Sequence, residues 1–169
     1  STDIHRIRFP FSCHPAKCGI VVKGINDMAV RFSKCCNPVP GDEIVGFVTR
    51  GRGMSIHRTD CVNVINLSAA ERSRLITAEW EDPGDTEEGG QYLAELKLYA
   101  DDRRGLLLDI TKVFTEEKID VKSMNTRTSK KGTATMDMGF IVHGREELNR
   151  VIKKLRQIEN VIDIERTTG

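Results

Sequence analysis

The sequence YLAELKLYADDRRGLLLDITKVF occupies residues 92–114 and contains the two patterns that decide the fold. Every second side chain from Tyr92 to Ala100 is the more apolar one, which is the period of a half-buried strand. Residues 101–105 interrupt the alternation. Apolar side chains then recur at helical spacing, at Leu106, Ile110, Val113 and Phe114. The pattern predicts a strand that turns directly into an amphipathic helix ending near Glu117.

The residues that follow continue this succession of strands and helices. Residues 119–128 carry β-branched side chains, and strict alternation returns between Ala134 and Val142, after the turn residues Lys130-Lys131-Gly132. A second amphipathic helix has its apolar residues at Leu148, Val151, Ile152 and Leu155, and residues 161–166 form a last strand. The order βαββαβ over residues 91–169 predicts a ferredoxin-like α/β sandwich.

The distribution of charge separates this domain from the residues before it. The chain of 169 residues has 26 basic and 25 acidic side chains and 38% hydrophobic residues, which excludes wholesale disorder. Residues 1–67 carry a surplus of +4, whereas residues 68–90 carry −5. Within the latter, residues 82–90 are acidic and rich in glycine, as is typical of a linker. We therefore predict an α+β chain with a leader at residues 1–18, a small α/β unit at 19–81 and the second domain at 91–169.

The small unit is built around a cysteine pair and a glycine-flanked hairpin. The sequence CCNPVPGD at residues 35–42 makes a turn before a strand predicted over residues 44–49. Residues 50–53, Arg-Gly-Arg-Gly, form the hairpin turn, and residues 54–57 form the returning strand. Thr59 is a fair N-cap for the short helix that follows.

We expect four soft metal ligands to come together in this unit. Cys35 and Cys36 end one segment, while His57 and Cys61 lie four residues apart at a strand-to-helix junction. Zinc favours tetrahedral sulfur and imidazole ligands, and a Cys₃His set fills all four positions, so the predicted site is structural rather than catalytic. A unit this small buries too little surface to be secure without support. The residues alone also allow buried thiols, a vicinal disulfide or an interior histidine already hydrogen-bonded.

The motifs RFSKCCNPVPGD, residues 31–42, and GRGMSIHRTDC, residues 51–61, resemble a known family. They are similar to the zinc-finger, or conserved-cysteine, region of the RelA/SpoT-type (p)ppGpp synthetases/hydrolases. The resemblance implies a structural Zn²⁺. The family's zinc ligands fall on Cys35, Cys36, His57 and Cys61 of this chain.

In the long members of that family an ACT domain follows directly, and residues 91–169 resemble one. The functional loop of such a domain is the first strand-to-helix turn, which here contains Asp102, Arg103, Arg104, Gly105 and Leu106. Gly105 lets a ligand approach the backbone beside helix N–H groups that bind a carboxylate. The resemblance implies an amino-acid ligand, with a branched-chain amino acid as the candidate, or dimerisation through the same edge. Alternatively, Gly105 only allows helix and strand to pack.

The resemblance also indicates what this chain does not do. The family's hydrolase and synthetase domains are both absent, and the sequence contains no phosphate-binding glycine loop. We therefore expect a non-enzymatic, C-terminal regulatory fragment whose parent is a GTP pyrophosphokinase or (p)ppGpp hydrolase, and which transmits control to those catalytic domains.

The family's terminal domains dock in the ribosomal A-site region, against rRNA and an uncharged tRNA, which implies the same partners here. Basic side chains of the small unit would supply phosphate contacts, because guanidinium groups pair closely with phosphates. The predicted RNA-binding residues are Lys23, Arg31, Lys34, Arg50, Arg52 and Arg58. A solvated charged face is the alternative for the same residues.

Two further expectations concern the compartment. No apolar run approaches the roughly 18 residues of a membrane span and no signal peptide opens the chain, so we expect a cytoplasmic protein without a membrane partner. The odd count of 5 cysteines is unlike a secreted disulfide framework. Cys13 and Cys18 are interpreted as solvated linker cysteines rather than a second metal set.

Overall fold

The computed structural model describes residues 19–22, 29–51, 53–80 and 91–167, which form two sheets with four helices. The predicted leader and linker, and also Lys23 and Arg52, lie outside the described residues. The first group of elements is β1 (Ile20–Val22), β2 (Val30–Phe32), β3 (Ile44–Thr49), β4 (Gly53–Arg58), α1 (Val62–Ile65), α2 (Ala69–Arg72) and β5 (Leu75–Trp80). The second group is β6 (Tyr92–Asp101), α3 (Leu106–Glu116), β7 (Val121–Thr128), β8 (Thr133–Val142), α4 (Arg145–Arg156) and β9 (Val161–Arg166).

The first sheet has the strand order β1-β5-β3-β4-β2. Strands β3 and β4 form the predicted hairpin, in register from Ile44↔Arg58 to Thr49↔Gly53. Strand β2 pairs with β4 in parallel, whereas the other pairs are antiparallel. The hairpin turn requires glycine at its end, because Gly53 has φ 86° and a Cβ there would lie 2.3 Å from the Ala29 carbonyl oxygen.

The second sheet has the order β7-β8-β6-β9, and all its pairs are antiparallel. Alternate side chains of β6 and β8 point to the same face, where α3 and α4 cover them. The rings of Phe114 and Phe140 meet there with centroids 5.0 Å apart. Val39, from the first group of elements, is fully buried in the same core. No helix in the described part of the chain has both the length and the apolar character that a membrane span needs.

The ferredoxin-like α/β architecture predicted for the second domain is confirmed, element by element. The first domain differs from its prediction in two respects. Strands β1, β2 and β5 extend the predicted hairpin into a five-stranded sheet. The N-cap assignment was wrong, because Cys61 caps α1 and the Thr59 hydroxyl instead donates to Glu43 Oε2 at 3.5 Å.

Candidate metal centre

The cysteine pair lies in the turn that follows β2. The amide of Ser33 donates to the Ile56 carbonyl at 2.9 Å, which extends the parallel pairing of β2 and β4 by one residue. The amide of Asn37 donates back to the Ser33 carbonyl at 3.0 Å and closes the turn. This places Cys35 and Cys36 beside the end of β4.

Strand β4 and the start of α1 supply the other two ligand candidates. His57 is the penultimate residue of β4. The chain then turns, with the Cys61 amide donating to the Arg58 carbonyl at 3.1 Å. Cys61 is the N-cap of α1, and the Val64 amide donates to its carbonyl at 3.0 Å. The sulfur of Cys61 is thereby turned back toward His57.

The ligand atoms of Cys35, Cys36, His57 and Cys61 all lie within 4.8 Å of one another. Cys35 Sγ is 3.4 Å from both His57 Nδ1 and Cys61 Sγ. Cys36 Sγ is 4.0 Å from Cys35 Sγ and 3.9 Å from His57 Nδ1. The structure therefore brings all four predicted metal ligands together, from three separate segments of the chain.

This cluster has the size and chemistry of a tetrahedral zinc site. Ligand bonds of about 2.0–2.3 Å give a tetrahedron with edges of about 3.3–3.8 Å, close to the 3.4–4.0 Å separations between neighbouring ligand atoms. The thiols of Cys35, Cys36 and Cys61 are free, so the structure does not contain the vicinal disulfide that the sequence also allowed. Three sulfurs and one imidazole nitrogen fit Zn²⁺ and leave no position for a catalytic water.

The surroundings of the three thiols shift their pKa values in different directions. Burial raises the pKa of Cys36, and burial together with the neighbouring Cys35 raises the pKa of Cys61. Burial also acts to raise the pKa of Cys35, but hydrogen bonds from Ser33, Asn63 and the adjacent thiols outweigh it, and the net pKa is lowered. A divalent ion offsets the mutual repulsion of thiolates at this spacing.

His57 is suited to bind a metal as a neutral imidazole. Burial lowers the pKa of His57, and the positive charge of Arg31 lowers it further. The guanidinium of Arg31 is held in place by a hydrogen bond of 3.1 Å to Ser55 Oγ. Keeping the ring neutral leaves Nδ1, the atom that faces the sulfurs, available as a ligand.

Arg58 does not occupy the position that its prediction as an RNA contact requires. Its side chain is only 8% exposed and forms an ion pair with Asp60. Its Nη1 also donates to the Cys36 carbonyl at 3.4 Å, and its amide donates to Cys36 Sγ at 3.3 Å. Because these contacts hold Arg58 against the cysteine pair, it supports the cluster and we remove it from the RNA-contacting set.

The remaining predicted basic residues have different surroundings. Lys34 and Arg50 are exposed, at the turn before the cysteines and at the β3–β4 turn respectively, and Arg31 is half-buried on β2. The side chains that support the cluster were not predicted from the sequence, namely Ser33, Asn63 and the Arg58–Asp60 pair. The only signal for them was their position within two residues of a ligand.

The predicted ligand loop of the second domain borders a cavity of about 480 Å³. Gly105 has φ 83° and is the N-cap of α3. Arg103 anchors the loop, because it pairs with Asp109 at 2.6 Å and donates to the Glu159 carbonyl at 3.3 Å. Four of the predicted residues line the cavity, namely Asp102, Arg103, Gly105 and Leu106.

Arg104 differs from its prediction, since it is exposed and does not line this cavity. Further lining residues come from α3, β7 and β8, and they include Leu107, Leu108, Thr126 and Met136. The exposure of Leu107 and Leu108, 52% and 71%, marks them as apolar positions outside the buried stripe of α3.

Two family models match consecutive parts of the chain. Residues 20–81 match the model of the RelA/SpoT RIS domain, and residues 88–166 match the model of an ACT domain. A crystal structure of the ACT domain from the GTP pyrophosphokinase of Chlorobium tepidum is 23% identical, with a TM-score of 0.42. The match covers 46% of this chain and 99% of that one.

GTP pyrophosphokinases are among the similar sequences. That of Streptomyces coelicolor is 40% identical over 151 residues, and that of Escherichia coli is 39% identical over 151 residues; each match covers 89% of this chain. The chain spans only 17% and 20% of these two relatives. With its RIS domain followed by an ACT domain, the chain belongs to the regulatory region of the RelA/SpoT family.

Proposed function

We propose that this region is a zinc-organised docking module of a (p)ppGpp synthetase/hydrolase, which attaches the enzyme to the ribosome and uncharged tRNA and transmits control to its catalytic domains. The observation that carries the proposal is the cluster of four ligand atoms within 4.8 Å. Cys35, Cys36, His57 and Cys61 would hold the ion. When bound, the ion supplies structural cross-linking and no catalytic chemistry, because the protein ligands fill its coordination sphere.

The cluster would stiffen a basic surface. Arg31 lies on β2, four positions before Cys35, with its guanidinium hydrogen-bonded to Ser55. Lys34 is exposed one residue before Cys35, and Arg50 is exposed at the end of the hairpin whose returning strand carries His57. Fixed guanidinium and ammonium groups bind phosphates with less loss of side-chain entropy than mobile ones, which favours contact with an RNA backbone.

A salt titration of ribosome binding tests this proposal. The double variant Arg50→Glu with Arg52→Glu should bind ribosomes carrying deacylated tRNA at least tenfold more weakly. Because each lost phosphate contact reduces the counterions released, the slope of log affinity against log salt should become shallower by about 1.5. Co-sedimentation at several salt concentrations measures both quantities.

The control reverses a pair of exposed positive charges on the second domain. Lys130 and Lys131 lie side by side in the β7–β8 turn, so Lys130→Glu with Lys131→Glu changes the net charge equally. This control should bind with nearly the affinity of the parent chain. If the two double variants weaken binding equally, a general charge effect explains the loss and the proposed surface is wrong.

A second candidate function, amino-acid sensing, is favoured by the cavity beside Gly105. Its volume of about 480 Å³ exceeds that of a single amino acid, and Leu106, Leu107 and Leu108 supply apolar lining for a branched side chain. The backbone N–H groups at the start of α3 are suited to bind the carboxylate of an amino acid. Asp102 at the same loop offers an acceptor for an ammonium group.

Calorimetry with Val, Leu and Ile tests the sensing function. Thr126→Trp, which fills the cavity from β7, should abolish the binding heat, whereas Thr128→Trp on the same strand should leave it unchanged. Absence of heat for all three amino acids in the parent chain would end this candidate. Sedimentation of the same sample across concentration tests the remaining proposal for this edge, a homodimer.

A further inference from the structure

The segment that leaves the cysteine pair, residues 37–42, lies against the second sheet. We name these six residues the strap. Val39, in the middle of the strap, is fully buried in the core formed otherwise by β6–β9, α3 and α4. A side chain from the RIS domain thus completes the hydrophobic core of the ACT domain.

The end of the strap is held by a two-pronged ion pair across the two domains. Arg166, the last residue of β9, donates to Asp42 Oδ1 at 2.7 Å and to Asp42 Oδ2 at 2.9 Å. Both side chains are largely buried, with 16% and 6% exposed. Arg166 also donates to the Asn37 carbonyl at 3.2 Å, so one guanidinium binds both ends of the strap. A planar guanidinium is suited to such a set of parallel bonds.

Backbone contacts extend this junction. The amide of Arg145, the first residue of α4, donates to the Pro40 carbonyl at 2.7 Å. On the other side, Trp80 Nε1 donates to the Asp42 carbonyl at 3.0 Å, and the Trp80 ring contacts Tyr92 of β6 edge-on with centroids 5.6 Å apart. The strap therefore contacts β5 of the first sheet at Asp42. It contacts the second domain at Asn37, Val39, Pro40 and Asp42.

The same strap begins at the candidate metal ligands. Asn37 follows Cys36 directly, and its φ of 46° fixes the direction in which the strap leaves the cluster. Pro38 and Pro40 restrict the backbone further, because each locks its own φ and limits the residue before it. The carbonyl of Cys36 is in turn held by Arg58 Nη1 at 3.4 Å. The position of the cysteine pair thus determines where Val39 and Asp42 lie.

We propose that metal occupancy of the cysteine–histidine cluster and docking of the RIS domain on the ACT domain are coupled through the strap. Loss of the ion from the cluster releases the strap, and release of the strap weakens ion binding. This proposal rests on the proposed zinc site. It adds that the presence or absence of the ion changes how firmly the RIS domain docks on the ACT domain. Coupling of this kind is reciprocal, so each half can be measured separately.

The first experiment measures the zinc affinity of the whole chain after a substitution in its ACT domain. Arg166→Gln removes the ion pair at a residue separated from Asp42 by 124 positions in sequence and touches no metal ligand. Competition with a chromogenic chelator should show zinc binding weakened about fivefold or more. Arg166→Lys keeps the charge without the two-pronged geometry. Its zinc affinity should lie between that of the unsubstituted chain and that of Arg166→Gln. Arg127→Gln, which breaks an exposed pair with Asp137 in the same sheet, should leave zinc affinity unchanged.

The second experiment follows the strap when zinc is stripped. The amide of Arg145 bonds to the strap, whereas the amide of Leu148 bonds within the ACT domain, to the Gly144 carbonyl at 3.2 Å. Chelation should accelerate hydrogen exchange at Arg145 at least tenfold and leave exchange at Leu148 nearly unchanged.

The outcomes separate the two proposals. A chain that binds no zinc overturns the metal centre and the coupling together. A chain that binds zinc, but whose affinity is equal in Arg166→Gln and Arg127→Gln and whose Arg145 amide stays protected after chelation, overturns the coupling and leaves the metal centre intact.

Discussion

The two domains of this chain differ in what stabilises each of them. The ACT sheet and its two helices share one continuous core of 19 buried residues, Val39 included. Among the described residues, the RIS sheet has a core of 7 buried residues. Cys36, Cys61 and Val64 form a separate buried group at its end. The second domain is stabilised throughout by apolar burial, whereas the first has a smaller core and a ligand cluster.

This difference indicates where each domain is vulnerable. Apolar burial is distributed, so the ACT domain tolerates the loss of any single contact outside its centre. A metal cluster concentrates stabilisation at one point, since a structural zinc contributes on the order of 10 kcal/mol. We therefore expect changes at the four ligands to affect the RIS domain far more than any conservative change affects the ACT domain.

The largest expected effect comes from Cys36→Ser. Loss of this ligand should remove zinc and expose the amides of β2, β3 and β4 to hydrogen exchange, while β6–β9 stay protected. Exchange measured by mass spectrometry with peptide resolution would show this. The matched control, Cys18→Ser, makes the same chemical change at a cysteine that is not one of the predicted ligands, and it should alter neither zinc content nor protection. Equal protection of both sheets in Cys36→Ser would contradict the contrast between the domains.

Replacing a large side chain in the ACT core by a small one should destabilise the ACT domain rather than the RIS domain. Phe140 is fully buried against Phe114, so Phe140→Ala leaves a cavity and should reduce the free energy of unfolding of this domain by about 3–5 kcal/mol. Leu107→Ala, at a half-exposed position, should change it by less than about 1 kcal/mol. Urea denaturation followed by circular dichroism measures both. A loss below about 1 kcal/mol in Phe140→Ala would show that apolar packing is not what holds this domain.

A smaller effect is expected at the hairpin of the RIS domain. Gly51 and Gly53 both have positive φ, 75° and 86°, so alanine at either should cost about 1–2 kcal/mol. Only Gly53 faces an obstacle, the Ala29 carbonyl oxygen, whereas space beside Gly51 is open. Gly53→Ala should therefore lower the thermal midpoint more than Gly51→Ala in zinc-loaded protein. Equal midpoints would mean that β2 and β4 are not packed as closely as the structure places them.

The smallest expected effect concerns a contact that does not depend on the metal. In the capping box of α2, the Ser68 amide and hydroxyl both donate to Glu71 Oε2, at 2.9 and 3.0 Å, and they lower the pKa of Glu71. The resulting stabilisation is present above the ordinary pKa of a glutamate and is lost as pH falls through the lowered one. Ser68→Ala should raise the pKa of Glu71 part of the way back, as measured by NMR titration. An unchanged pKa would show that the box does not form.

The second domain was predictable because its signals are local. The strands of 10 residues, β6 and β8, are long enough to show alternation, and α3 and α4 have clear apolar faces. Strands β1 and β2, with 3 residues each, are too short for any period to appear. Strand β2 pairs with β4, although β3 lies between them in the sequence. Such strands are defined by their partners rather than by their own sequence.

The candidate site shows the same limit. The clustering of Cys35, Cys36, His57 and Cys61 was predictable because cysteine and histidine are distinctive residue types at informative positions. Arg58 was assigned wrongly because a charge in a basic segment looks exposed until the fold brings Asp60 and the Cys36 carbonyl against it. The contact between Asp42 and Arg166 depends on the docking of two domains, and no local pattern contains it.

Native mass spectrometry of the chain, purified without added metal, tests the central claim most directly. We predict a mass greater by one zinc ion per chain, less the protons displaced from the thiols, and loss of that ion in Cys36→Ser but not in Cys18→Ser. A parent chain that carries no zinc and takes up none when it is supplied, while its first sheet remains folded, would contradict it.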